Sequence, residues 1–131
     1  MPDLNLQPVE GGPTQPVYVM NDAKGAPGSD RGSVANTTST TGNNTIVSSP
    51  GVGFRIVLWS FLIVNEAATS NTVTIRDQAA RFRCMLGAAI GSNMGQVFPF
   101  GYRMNENTAL TLALSAATAI GYSIIYSVEP V

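Results

Sequence analysis

Histidine is absent from the sequence. With it go the commonest general base, the triads built around that base and the commonest transition-metal ligand. Cysteine occurs once, at Cys84, so no intrachain disulfide forms. With no histidine to activate it, and alternating with Phe82 and Leu86, this thiol reads as a small buried hydrophobe. Charge is sparse as well. Only 11% of the residues are charged, against a typical ~25%, and the chain has a single lysine, Lys24. No basic run tracks a phosphate backbone, which argues against a nucleic-acid partner. No apolar stretch reaches the ~20 residues that span a bilayer, and the opening MPDLNLQPVEGGP has neither the basic segment nor the apolar core of a signal peptide. The expectation is a soluble protein made in a cytoplasm, with no membrane partner and no small-molecule substrate. Phosphate loops and aspartate-rich calcium loops are missing too, so no cofactor and no metal is expected.

What fills the chain instead is Ser, Thr, Asn, Gln and Gly, the composition of a weakly charged surface suited to contact. At 131 residues the chain fits one domain, which at this size buries roughly two-thirds of the surface of the unfolded chain. Residues 1–32 hold five of the eight prolines, at positions 2, 8, 13, 16 and 27, and read as an extended Pro/Gly-rich arm. Within it the patch Val17, Tyr18, Val19 and Met20 has strand composition and is a candidate contact to the body or to a partner. Residues 33–131 form the folded domain.

The strongest element is FRIVLWSFLIV, Phe54 to Val64, rich in β-branched and aromatic residues and bounded by Pro50, Gly51 and Gly53. Unbroken alternation puts Leu58 and Leu62 toward a sandwich core, and Trp59 and Phe61 on the opposite face as candidate subunit contacts. Both faces are apolar, so both need cover, from an opposing sheet on one side and from loop, arm or sister subunit on the other. Before this strand, residues 33–49 read as two strands about a hairpin or tight bend at Gly42 and Asn43. After it, Thr72 to Arg76 and Arg81 to Leu86 alternate cleanly, and Gly87 to Gln96 reads as a connection. Val97 to Tyr102 carries Pro99 and reads as an edge strand or bend. Ala109 to Ser115 alternates leucine with small residues, and Gly121 to Val128 closes the chain. About eight short strands at roughly ten-residue spacing predict an all-β fold, an antiparallel β-sandwich of jelly-roll type.

The remaining chemistry is thin. Glu66, Asp77, Glu106 and Glu129 lie near turns or the end of the chain, without the spacing of a catalytic pair, and an enzyme is not expected. Arg76, Arg81 and Arg83 fall on one predicted outer face, either as a solvated face paired locally to Asp77 or Glu66, or as a surface for an anionic partner. Trp59, Tyr102, Tyr122 and Tyr126 are candidates for a sugar-binding platform, although alternating aromatics more often belong to a core or a subunit contact.

From Asn36 to Val128 the chain resembles the jelly-roll head decoration, or cementing, proteins of tailed bacteriophages. The residues that carry the resemblance are G-N-N-T-I-V at Gly42 to Val47, G-F-R-I-V-L at Gly53 to Leu58, T-V-T-I at Thr72 to Ile75 and F-P-F-G-Y at Phe98 to Tyr102, with N-T-A-L-T-L-A-L-S and G-Y-S-I-I-Y toward the end. The resemblance implies a non-enzymatic virion structural protein on the capsid surface, synthesised in the host cytoplasm. It implies a homo-oligomer, often a homotrimer, bridging neighbouring major capsid protein subunits. The Pro-rich arm departs from that compact pattern. The alternative function is a carbohydrate-binding or receptor-binding module of a phage fibre or tail.

Overall fold

The computed structural model describes residues 31–131, and these are all strand, turn and loop. Eight strands follow in order: β1 (Gly32–Thr38), β2 (Gly42–Val47), β3 (Phe54–Asn65), β4 (Asn71–Arg76), β5 (Ala80–Leu86), β6 (Asn93–Glu106), β7 (Leu110–Leu114) and β8 (Ile120–Pro130). They build two four-stranded antiparallel sheets, β1-β8-β3-β6 and β2-β7-β4-β5. Successive strands pass from one sheet to the other, and only β4 and β5 pair with a strand next to them in sequence. That order is the jelly roll, as the spacing of the strands predicts. The arm, including Val17 to Met20, lies outside the described residues except for its last two positions.

Residues 33–49 supply the two expected strands, joined by a bend and not by a hairpin. β1 and β2 do not pair with each other. β1 joins β8, β2 joins β7, and the chain crosses between the sheets at Gly42, whose φ of +90° suits glycine. Between the sheets lies one core. β7 contributes Leu110, Leu112 and Leu114, β4 Val73 and Ile75, β5 Cys84 and Leu86, and β8 Ile120 and Ile124. Each such side chain, fully buried, stabilises by about 1.5–3 kcal/mol relative to exposure. Cys84 is buried as its alternation predicts, and burial pushes its thiol pKa up.

β3 departs from the sequence reading. Its ladder to β8 matches Leu58 with Tyr126 and then Ser60 with Ile125, so Trp59 is an extra residue. Such a bulge turns two successive side chains to one side and reverses the facing of every later one. Ile56 and Leu58 therefore point into the core before it, and Phe61 and Ile63 after it. Leu62, expected inside, is 45% exposed, and Phe61, expected at a subunit contact, is buried against Phe82 and Phe98. The alternation was right locally and wrong across the bulge.

The neighbouring edge strand answers with an excursion of its own. β6 pairs Tyr102 with Leu58 and Val97 with Ser60, leaving the four residues Phe98 to Gly101 opposite Trp59 alone. Pro99 sits in that excursion at the sheet edge, where its missing N–H breaks no central ladder. β6 also begins at Asn93, so the last four of the ten residues expected as a connection from Gly87 to Gln96 are strand. Two buried asparagines brace the loops at one end: Asn65 donates to the carbonyls of Thr69 and Gly87, and Asn71 donates to Ala116 O and Thr118 Oγ1.

Candidate contact surface

The outer face of β1-β8-β3-β6 divides at the bulge. On the first half, Val57 and Trp59 point away from the core yet are covered. The Arg31 guanidinium stacks 3.8 Å from the centroid of the Trp59 ring, and the indole N–H donates to Ser127 Oγ at 2.9 Å. The excursion of β6 lays Gly101 flat on both side chains. A Cβ built there would meet Val57 Cγ1 at 2.5 Å and the indole at 3.2 Å, and the backbone φ is +76°. Both constraints require glycine. Arg103 ties the excursion down, donating through Nη1 to Phe100 O at 2.7 Å.

The same half carries an ion-pair group. Glu129 is buried and receives Arg55 at 2.7 Å and Arg103 at 3.1 Å. Burial works to raise its carboxyl pKa, but the hydrogen bonds and charges of Arg55 and Arg103 outweigh it and hold the group below its usual 4.5. Asp77 is the counterpart at the β4–β5 turn. Its Oδ2 accepts from Arg81 at 2.8 Å and from the backbone N–H of Asn105 at 2.9 Å, locking the hairpin of one sheet to β6 of the other. Burial again opposes ionisation, and Arg81 with the N–H groups of Ala79 and Asn105 holds the pKa below 3.8.

Beyond the bulge the outer face is open. Leu62 and Val64 of β3, Ile125 of β8 and Val97 of β6 lie on it among Ala35, Ser123, Gly95 and Gly121. Ile125 is 39% exposed and Val97 71%. Phe100, at the tip of the excursion, is 87% exposed. A groove of about 440 Å³ runs between β1 and β3, lined by Ala35, Thr37, Leu62, Val64, Glu66 and Ser123 among others. Thr37 Oγ1 donates to both Glu66 oxygens, at 3.2 and 3.4 Å, and Glu66 makes no ion pair among the described residues.

The three arginines do not stay together. Arg76 and Arg83 line a groove of about 400 Å³ on the outer face of β2-β7-β4-β5, with Thr72, Thr74, Ala80 and Ala113. Arg76 reaches the Gln78 carbonyl, and Arg83 makes no ion pair among the described residues. Arg81 leaves the group because the ladder slips between Ile75 and Arg76, which sends it to the rim and to Asp77. Local pairing to Asp77 therefore holds for Arg81, while Glu66 takes no part. The four candidate sugar-platform aromatics also turn away. Trp59 is 8% exposed, Tyr102 stacks edge-on against Phe82 at 4.8 Å, and Tyr122 and Tyr126 pack on the core. Trp59 thus has little surface left for a sister subunit. The open-face residues Leu62, Val97, Ile125 and Phe100 escaped sequence reasoning because the bulge that exposes Leu62 has no composition of its own. Among the described residues no group of three His, Cys, Asp or Glu side chains is placed to hold a metal ion.

No family model matches the chain, and no curated protein matches it. Among solved structures it is similar to the cryo-EM structure of the giant freshwater prawn Macrobrachium rosenbergii extra small virus (XSV) VLP, with a TM-score of 0.41 and 10% sequence identity over 97% of each chain. The strand order, not this likeness, defines the fold as a jelly-roll β-sandwich.

Proposed function

We propose that the chain is a non-enzymatic virion structural protein, a decoration or cement protein that binds the outer shell as a homo-oligomer, most simply a trimer, and bridges neighbouring major capsid subunits. The observation that carries this reading is the open half of the outer face, where Val97, Ile125 and Leu62 form an apolar stripe floored by small residues and flanked by Phe100. A flat stripe of this kind, poor in charge and ending in an exposed aromatic, has the make-up of an interface core. The jelly roll is a fold that viral capsid proteins share with lectin domains and cupins, and the covering of Trp59 and the packing of the tyrosines against the core speak against a sugar platform. The mechanism is additive. Each copy contributes an interface of roughly 1,600 Å², and many copies on adjacent shell subunits hold the particle by avidity.

Light scattering on the chromatographed protein tests the oligomer: three times the 13.7 kDa chain mass is expected, and a monomer at high concentration overturns it. Electron microscopy of the parent particle tests the location. Density for this chain over the joints between shell subunits is expected, and density only in a tail or fibre overturns the decoration role.

A further inference from the structure

The outer face of β2-β7-β4-β5 carries two positive charges that no described carboxylate balances. Thr74 of β4 stands opposite Arg83 of β5, and Arg76 lies two residues further along β4. The two arginines are thus diagonal neighbours, with Cβ atoms about 7 Å apart. Both line the groove of about 400 Å³ over Thr72, Thr74, Ala113 and Ser115. Like charges placed so repel, and an anion between them relieves the repulsion. Asp77, next in the chain to Arg76, does not serve. Its side chain is buried and is held by Arg81 and by the N–H groups of Ala79 and Asn105. Arg76 reaches only the Gln78 carbonyl, at 3.4 Å, and Arg83 takes part in no ion pair among the described residues. Each guanidinium has about five N–H donors in a fork that matches a carboxylate, and most of them are open.

The surroundings select among anions. No aromatic side chain lines the groove for a base or a sugar ring to stack on. Two cations are too few to follow a nucleic-acid backbone. β4 is laddered to β5 on one side and to β7 on the other, so it offers no nest of free amides to a phosphate. Thr72 and Thr74 give a polar floor, and the exposed Met85, opposite Thr72, adds an apolar border. Arginine and methionine are residues that protein interfaces favour. Same-side residues of an extended chain repeat about every 7 Å, which is the spacing of the two arginines. We propose that this groove binds an extended acidic segment of a partner protein, with carboxylates at alternate positions, one on each guanidinium. The proposal stands apart from the decoration role, because the groove lies on the sheet opposite the apolar stripe and binding needs no oligomer.

Titrating the full, isotope-labelled chain with a capped peptide of alternating Glu and Thr, followed by NMR, tests this. The amides of Thr74, Arg83 and Ala113 and the Nε–H signals of Arg76 and Arg83 should shift and saturate in the millimolar range. Gly95 and Ser123, on the opposite sheet, should stay still. Raising salt from about 0.05 to about 0.5 M should weaken binding several-fold. Arg76→Gln combined with Arg83→Gln should abolish the shifts while the rest of the spectrum, and so the fold, is kept. The proposal is overturned if those signals do not move, or if they move equally in the double variant or with a peptide carrying Gln in place of Glu. Tighter binding of inorganic phosphate or of a single-stranded oligonucleotide at the same signals also overturns it, since the groove would then be a phosphate site.

Discussion

The two halves of one sheet face, on either side of Trp59, start from similar sequence and end in opposite states. Val57 and Trp59 belong to the same apolar run as Leu62 and Val64, yet the first pair is sealed, while Leu62 is exposed and Val64 half-buried. The difference lies in what the neighbouring strands bring. Opposite Trp59, β6 spends four residues in an excursion and sends Arg103 back across it, and Glu129 gathers two arginines beside it. Opposite Leu62, β6 and β8 bring Gly95 and Ser123, too small to cover anything. An apolar outer face thus becomes a second small core where long side chains and a bulge converge, and a contact surface where they do not.

The largest change expected is at the sealed half. Trp59→Ala removes a buried indole and its hydrogen bond to Ser127, and should cost about 4 kcal/mol in urea unfolding. A loss below about 1 kcal/mol would mean that the cover over Trp59 is not part of the folded unit. Gly101→Ala should cost about 3 kcal/mol, combining a left-handed backbone with overpacking on Val57. Loss of secondary structure is not expected, because β6 is an edge strand.

Acid should loosen the sealed half through Glu129 and the β4–β5 turn through Asp77. Glu129 and Asp77 are held below their ordinary values of 4.5 and 3.8. A carboxyl with a lowered folded pKa contributes stability that is complete above its unfolded value and is lost as pH falls through the folded one. Urea midpoints should therefore stay level down to about pH 5 and decline below it. Glu129→Gln and Asp77→Asn should each flatten that decline; an unchanged slope in both would place the acid sensitivity elsewhere. The smallest effect on stability is expected at the open half, where Leu62→Asn should change unfolding by about 0.5 kcal/mol or less. The same substitution should lower the mass found by light scattering. Should it destabilise as much as Trp59→Ala, the contrast between the halves fails.

Much of the fold was legible in order. Val73 and Ile75, Cys84 and Leu86, and Leu110, Leu112 and Leu114 face inward as strict alternation requires, because no extra residue falls within these stretches. Pro99 marked an edge. The contact surface was not legible, because a bulge at Trp59 and a slip beside Arg76 each add one residue, and one residue reverses a face. That is why Leu62 came out, Phe61 went in, and Arg81 left Arg76 and Arg83 for Asp77.

By itself the sequence determined the fold class: about eight alternating strands, and an apolar run with two faces to cover. Only the tertiary structure decided which parts of those faces are covered, because cover depends on what a neighbouring strand places opposite each residue. The spacing along one strand carries no record of a bulge that forms only when three strands meet.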